Sequence, residues 1–167
     1  MAPEHPLVGE LFPPGVRSPG APIRALLDAA LERVCACCRY ASGPPGRVPF
    51  DELHAALRAR ADGVLALNCI NLTCLLASAL RAAGCPADDV FVAVGKLRGG
   101  VLPLEPIHAW LMLRASEGFL WVDPADPRPR PHAGRELLEV YSLFVVFNDR
   151  RACVLAADKR RLLLGEA

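Results

Sequence analysis

The chain has 167 residues, of which 53% are hydrophobic and 22% charged, and a formal net charge of +1. This supplies one packed core of single-domain size and excludes a disordered chain, which needs low hydrophobicity and high net charge. The balanced charge gives no ground for nucleic acid or an anionic membrane as a partner, and the short basic cluster Lys159-Arg160-Arg161 reads as a solvated helix face.

The first residues, Met1 to Leu7, have neither the basic region nor the apolar stretch of a secretory signal. Apolar runs of about ten residues or fewer are too short to span a bilayer. The expected compartment is the cytoplasm, with no membrane association. Seven cysteines, an odd number without framework spacing, then read as free thiols, most of them buried small hydrophobes.

Residues 1–20 carry five prolines and three glycines and are expected to form an extended arm without a core of its own, leaving 21–167 as a single domain. Ile23, Leu27, Ala30, Val34 and Cys38 recur at three- and four-residue steps, which predicts a helix with one buried face. Ser42-Gly43-Pro44-Pro45-Gly46 breaks the chain. Phe50 to Ala61 reads as a second short helix. A third begins at Asn68 or Cys69, with Leu72, Leu75, Leu76, Ala79, Leu80 and Ala83 as its apolar stripe, and so little polar content that it belongs in the middle of the fold. Gly84 and Pro86 end it.

The period then changes. Val90 to Val94 is a short β-prone run, 95–106 a loop, and Ile107 to Arg114 and Phe119 to Val122 a hairpin across Ala115 to Gly118. Residues 124–134 are Pro-rich and irregular, with His132 expected in solvent. Glu136 to Tyr141 is a helical turn or the start of a strand. Leu143 to Phe147 and Ala152 to Ala156 form a last hairpin, and Asp158 to Leu164 a helix. Helices followed by an antiparallel sheet define an α+β fold.

Cys69 stands at the predicted start of the third helix, where partial positive charge and free backbone N–H groups stabilise a thiolate and can hold an oxyanion. A thiolate needs a partner base, and His108 is the best placed histidine. If residue 114 opposes 119, cross-strand partners sum to 233, and 110 opposes 123. The period of two then puts His108 and Asp123 on one face as diagonal neighbours, where the carboxylate can orient the imidazole. A slip of one residue would separate them. A single cysteine at a helix start is structural more often than reactive, and Asp123 before Pro124 can simply open a turn; the combination of the three raises the catalytic reading to near parity. Cys35-Ala36-Cys37-Cys38 holds one Cys-x-x-Cys spacing without the second pair that zinc requires, so no metal is expected. Gly95 to Gly100 lacks the ending of a phosphate loop, and no cofactor is expected.

Asn68-Cys69-Ile70-Asn71-Leu72, with Leu80-Arg81-Ala82-Ala83-Gly84-Cys85-Pro86, resembles the nucleophile helix of the transglutaminase-like superfamily in its bacterial-type, single-domain form. His108-Ala109-Trp110 and Trp121-Val122-Asp123-Pro124 resemble its two strand motifs, and Ile23 to Tyr40 the helix before the nucleophile. The resemblance spans about residues 23–126. It implies a papain-like fold, helices with a central nucleophile helix packed on an antiparallel sheet, and a triad of Cys69, His108 and Asp123 as nucleophile, base and orienter. Two departures are visible: Cys85 replaces an aliphatic residue, and Ala66-Leu67-Asn68 separate Gly63 from the nucleophile. The backbone N–H of Cys69 is then the expected oxyanion donor, with Asn68 or Asn71 as side-chain alternatives and Asn68 equally suited to be a helix cap.

The function this implies is a cysteine hydrolase, a peptidase or amidase acting on a peptide or protein amide through a Cys69 thioester. The alternatives are an acyltransferase that passes the thioester to an amine acceptor, as in peptide natural-product tailoring, and a non-catalytic interaction domain that binds a partner protein.

Overall fold

The computed structural model describes residues 2–12, 21–42, 48–59, 63–97, 107–116 and 118–154. The tail helix expected over Asp158 to Leu164, the basic cluster beside it and most of the loop after Leu97 lie outside these residues. The architecture is α+β: helices packed against an antiparallel β-sheet.

The helical layer holds α1 (Pro6–Leu11), α2 (Ile23–Cys37), α3 (Phe50–Ala59) and α4 (Cys69–Ala82). Four of the five periodic positions expected on the first long helix, Leu27, Ala30, Val34 and Cys38, are buried, although the helix itself ends at Cys37. α4 is the central helix, with ten consecutive buried residues from Asn71 to Leu80. It stops as the sequence predicts, with Gly84 at φ +102° and the amides of Gly84 and Cys85 returned to the carbonyls of Arg81 and Leu80.

The sheet has the order β6-β5-β4-β3-β7-β8, all neighbours antiparallel. Its strands are β3 (Val90–Leu97), β4 (His108–Ala115), β5 (Gly118–Val122), β6 (His132–Ala133), β7 (Tyr141–Phe147) and β8 (Ala152–Val154), with the helix α5 (Gly134–Val140) between β6 and β7. The β4–β5 hairpin pairs Leu111 with Val122 and Arg114 with Phe119, the register expected from the sequence. The two faces of the sheet carry different clusters, as the period of two demands. Val90, Val92, Leu111, Leu113, Leu120 and Val122 join the core under the helices. Phe91, Ala93, Trp110, Met112, Trp121, Tyr141, Leu143 and Val146 form a second cluster with Leu137 of α5.

Several elements depart from the sequence reading, among them the short strand β6 within the segment expected to be irregular. The extended arm expected over residues 1–20 is corrected in its described part: α1 is a helix, and Leu7, Val8, Leu11 and Phe12 are all buried in the main core. Pro6 suits the first turn, and the His5 ring caps it by accepting from the Leu7 amide at 3.1 Å. Each such side chain contributes about 1.5–3 kcal/mol by leaving water. A small parallel sheet joins β1 (Cys38–Tyr40) to β2 (Leu65–Leu67), which leads directly into α4. β3 runs three residues past Val94, through a register shift at Val94/Gly95. A β-carbon on Gly95 would lie 2.1 Å from the Ser142 carbonyl oxygen and 2.7 Å from Trp110 Cη2. Only glycine lets β7 and the indole approach this closely.

Gly95→Ala is therefore expected to destabilise the protein by about 1–3 kcal/mol in urea denaturation, because the β7 backbone cannot yield as a flexible side chain does. A change below about 0.5 kcal/mol, the range of an uneventful surface substitution, would show that the bulge relaxes freely.

Candidate active site

β5 pairs with β4 only as far as Leu111–Val122, so β4 has an open edge at Ala109 and His108. The first turn of α4 fills it. Thr73, fully buried, sits with its hydroxyl 2.8 Å from the Cys69 carbonyl and 3.2 Å from the Ala109 carbonyl, tying helix to strand. The N–H of Ala109 points the same way along the strand edge and, with the Ile70 N–H, hydrogen-bonds the Cys69 sulfur. Cys69 is the first residue of α4, and Asn68 is its N-cap, accepting from the Asn71 amide at 3.0 Å. The Asn71 side chain is buried and accepts from the Val48 amide at 2.9 Å, a structural task.

His108 shares a face of β4 with Trp110, away from α4, and reaches Cys69 around the open edge. Its Nε2 lies 2.6 Å from Asp123 Oδ2. The ring also hydrogen-bonds the Cys69 sulfur, a contact left to Nδ1 by elimination. Asp123 follows the last residue of β5, and the Ala125 amide donates to its Oδ1 at 2.9 Å. The three residues singled out in the sequence are thus brought together, the diagonal pair as the register required.

The electrostatics follow from these contacts. Burial alone would push the Cys69 thiol up, but the hydrogen bond from His108, those from the Ala109 and Ile70 amides and the charge of His108 outweigh it and hold the thiol below its ordinary range. Burial would likewise lower His108, yet hydrogen bonds and charges from Asp123 and Cys69 raise it to about 9. Cys38 and Cys85 move the other way, to about 12 and about 11, chiefly through burial, and Cys35 is also raised. The contacts that lower Cys69 and raise His108 both favour the thiolate–imidazolium form of the pair.

Sequence reasoning missed Tyr141. Its hydroxyl donates to Asp123 Oδ2 at 2.9 Å, and its ring lies nearly parallel to His108, with centroids 5.8 Å apart. In the sequence, Glu136 to Tyr141 reads as a helical turn or the start of a strand, with no part in the site for Tyr141; it opens β7. His132, expected in solvent, instead stacks on Trp121 at 4.6 Å and pairs with Glu136 at 3.0 Å. Cys35 is exposed and Cys38 buried, so their Cys-x-x-Cys spacing does not present two ligands together.

This architecture, helices packed against an antiparallel sheet, is consistent with a papain-like or transglutaminase-like fold. Searches of family models and of curated proteins give no match. Among solved structures, the chain is similar to Legionella pneumophila LapG, with a TM-score of 0.58 and 16% identity over 96% of this chain and 80% of that one. It is also similar to the calcium-bound form of LapG, with a TM-score of 0.56 and 15% identity over 96% and 84%. At such identity the likeness shows the fold. No group of three or more His, Cys, Asp and Glu side chains is placed to hold a metal ion among the described residues. The cytoplasmic expectation is corrected: it rested on a few residues at the start of the chain, whereas LapG, whose fold this chain shares, is a periplasmic or secreted enzyme.

Thiol alkylation tests the site. Thiolate forms as pH rises through the thiol pKa, so a lowered pKa moves the rise to lower pH. Cys69, followed by peptide mass mapping, should react with iodoacetamide well below the ordinary thiol range, and His108→Ala should return its profile to about pH 8.5. Superimposable profiles would remove the ion pair. Thr73→Val, which keeps the shape and loses the tie, should slow Cys69 alkylation near neutral pH by about two- to tenfold; an unchanged rate would mean that packing alone sets the approach of α4 to β4.

Proposed function

We propose that the protein is a cysteine peptidase or amidase of the transglutaminase-like kind, with Cys69 as nucleophile, His108 as acid and base and Asp123 as orienter. The observation that carries this reading is the chain of contacts from the Cys69 sulfur through the His108 ring to Asp123, closed by the 2.6 Å bond. The fold shared with LapG agrees with it and favours a protein as the substrate.

The Cys69 thiolate attacks the amide carbonyl carbon and forms the C–S bond, while negative charge collects on the carbonyl oxygen. The N–H groups at the start of α4, that of Cys69 first, are suited to receive that charge. The tetrahedral intermediate collapses as the C–N bond breaks, and the His108 imidazolium gives its proton to the departing amine. The neutral ring then takes a proton from water, whose oxygen attacks the thioester. Release of the carboxylic acid returns the thiolate and the imidazolium. Asp123 holds the ring with its second N–H toward the carboxylate. Water suffices as acceptor, and Cys69 is only half-buried.

Both protonation requirements bound the activity. Hydrolysis should rise as pH passes the lowered thiol value and fall as it passes about 9, where His108 loses the proton the leaving amine needs. The decisive measurement is intact-mass analysis of acid-quenched mixtures with peptide and protein substrates. The parent should carry an acyl adduct that Cys69→Ala abolishes, and should yield the free acid even with an amine present. Exclusive formation of the new amide would make the enzyme a transferase; a reactive Cys69 that never acquires an acyl group from any peptide or protein offered would leave a binding domain.

A further inference from the structure

A second sheet strand reaches the site from the side opposite the nucleophile. Tyr141 opens β7, where it pairs with Leu97 of β3, and β3 in turn sets Gly95 beside His108 of β4. The missing side chain at Gly95 matters here. It leaves room for the fully buried Trp110, whose ring lies 4.4 Å from that of Tyr141 at an interplanar angle of 21°. Trp110 Nε1 has no hydrogen-bond partner among the described residues, so packing holds this indole in place. Trp121 closes the other side, edge-on to Tyr141 at 5.6 Å.

So held, Tyr141 makes two contacts with the proposed machinery. Its ring lies offset from the imidazole and nearly parallel to it, with centroids 5.8 Å apart at 15°. Its hydroxyl donates to Asp123 Oδ2 at 2.9 Å, the same oxygen that His108 Nε2 meets at 2.6 Å. The Ala125 amide fixes the other carboxylate oxygen. A carboxylate with a donor on each oxygen cannot turn about its last bond without breaking one of them.

We propose that Tyr141 is a positioning residue of the active site: it holds the Asp123 carboxylate and packs beside the His108 ring, so that the imidazole holds its alignment toward Cys69. This rests on the reading of Cys69 as the nucleophile. The hydroxyl is a donor across the whole working range, because burial and the Asp123 carboxylate push its pKa well above the ordinary tyrosine value. Its action on the thiol runs through Asp123, since the hydroxyl bonds the carboxylate and the carboxylate bonds the ring.

Dependence through a single residue gives a sharp test, a double-mutant cycle. The rate of Cys69 alkylation by iodoacetamide is measured at about pH 6, where an ordinary thiol is almost wholly protonated and only the ion pair supplies thiolate. Tyr141→Phe keeps the ring and its stacking and removes the hydroxyl. It should slow alkylation about tenfold, the effect of one hydrogen bond to a charged group, with a cooperative thermal melt retained. In an Asp123→Ala background the same substitution should change the rate by less than about twofold, since nothing remains for the hydroxyl to hold. An unchanged rate in Tyr141→Phe overturns the proposal. So does a loss that repeats in full on Asp123→Ala, which would make Tyr141 a packing residue. A parent protein whose Cys69 reacts as an ordinary thiol removes the nucleophile reading and this proposal together, a pattern distinct from either of the others.

Discussion

The early end of β5 governs the rest of the site. Because pairing with β4 stops at Leu111–Val122, the backbone of Ala109 has no strand neighbour on that edge. A buried strand edge without partners is costly, and the first turn of α4 satisfies it. The Ala109 carbonyl meets the Thr73 hydroxyl and its N–H meets the Cys69 sulfur. One gap in the sheet therefore seats the helix, sets its height against β4 and delivers a cysteine to the flank of a histidine on the opposite face. Had β5 run two residues further, Asp123 would belong to the ladder and Cys69 would have no opening.

Charge separation in a half-buried place needs compensation on every side. A thiolate and an imidazolium taken out of water lose hydration, and their mutual attraction offsets this only when other hydrogen bonds complete the shell. Here the sulfur has two backbone N–H groups besides His108. The imidazolium has a carboxylate on its far nitrogen, and that carboxylate has donors on both oxygens. The opposite shifts of Cys69 and His108 are one fact seen from two ends: each ion stabilises the other, and burial works against both.

The local periodicities were legible in the sequence, and the long-range partners were not. The short turn between 107–114 and 119–122 suggests the pairing of 114 with 119, and on that register His108 and Asp123 share one face; the observed hairpin has it. The stripe from Leu72 to Ala83 likewise marked the central helix. β1 and β2 are three residues each and pair in parallel across an intervening helix, so neither carries an alternation long enough to read. α1 was hidden by its own prolines, one of which sits where a helix tolerates it. Tyr141 comes to Asp123 from 18 residues away through β7, and nothing in the local pattern around Glu136 to Leu143 points to it.

The two faces of the sheet divide the work. The helix-side face is aliphatic: leucine and valine from β3, β4 and β5 interlock with α4, and many apolar combinations of similar volume fill such a core. The other face is aromatic and specific. Trp110, Tyr141 and His108 lie nearly parallel, with centroids 4.4, 5.8 and 6.4 Å apart in a triangle, and their mutual offsets set where the imidazole sits. Stacked rings have few low-energy offsets, so that face fixes an orientation to a degree that leucines cannot. Gly95 belongs to the same logic, since any side chain there would displace the stack. The first face makes the domain stable, and the second makes one histidine point in one direction, the more exacting demand that the proposed chemistry at Cys69 would place on the chain.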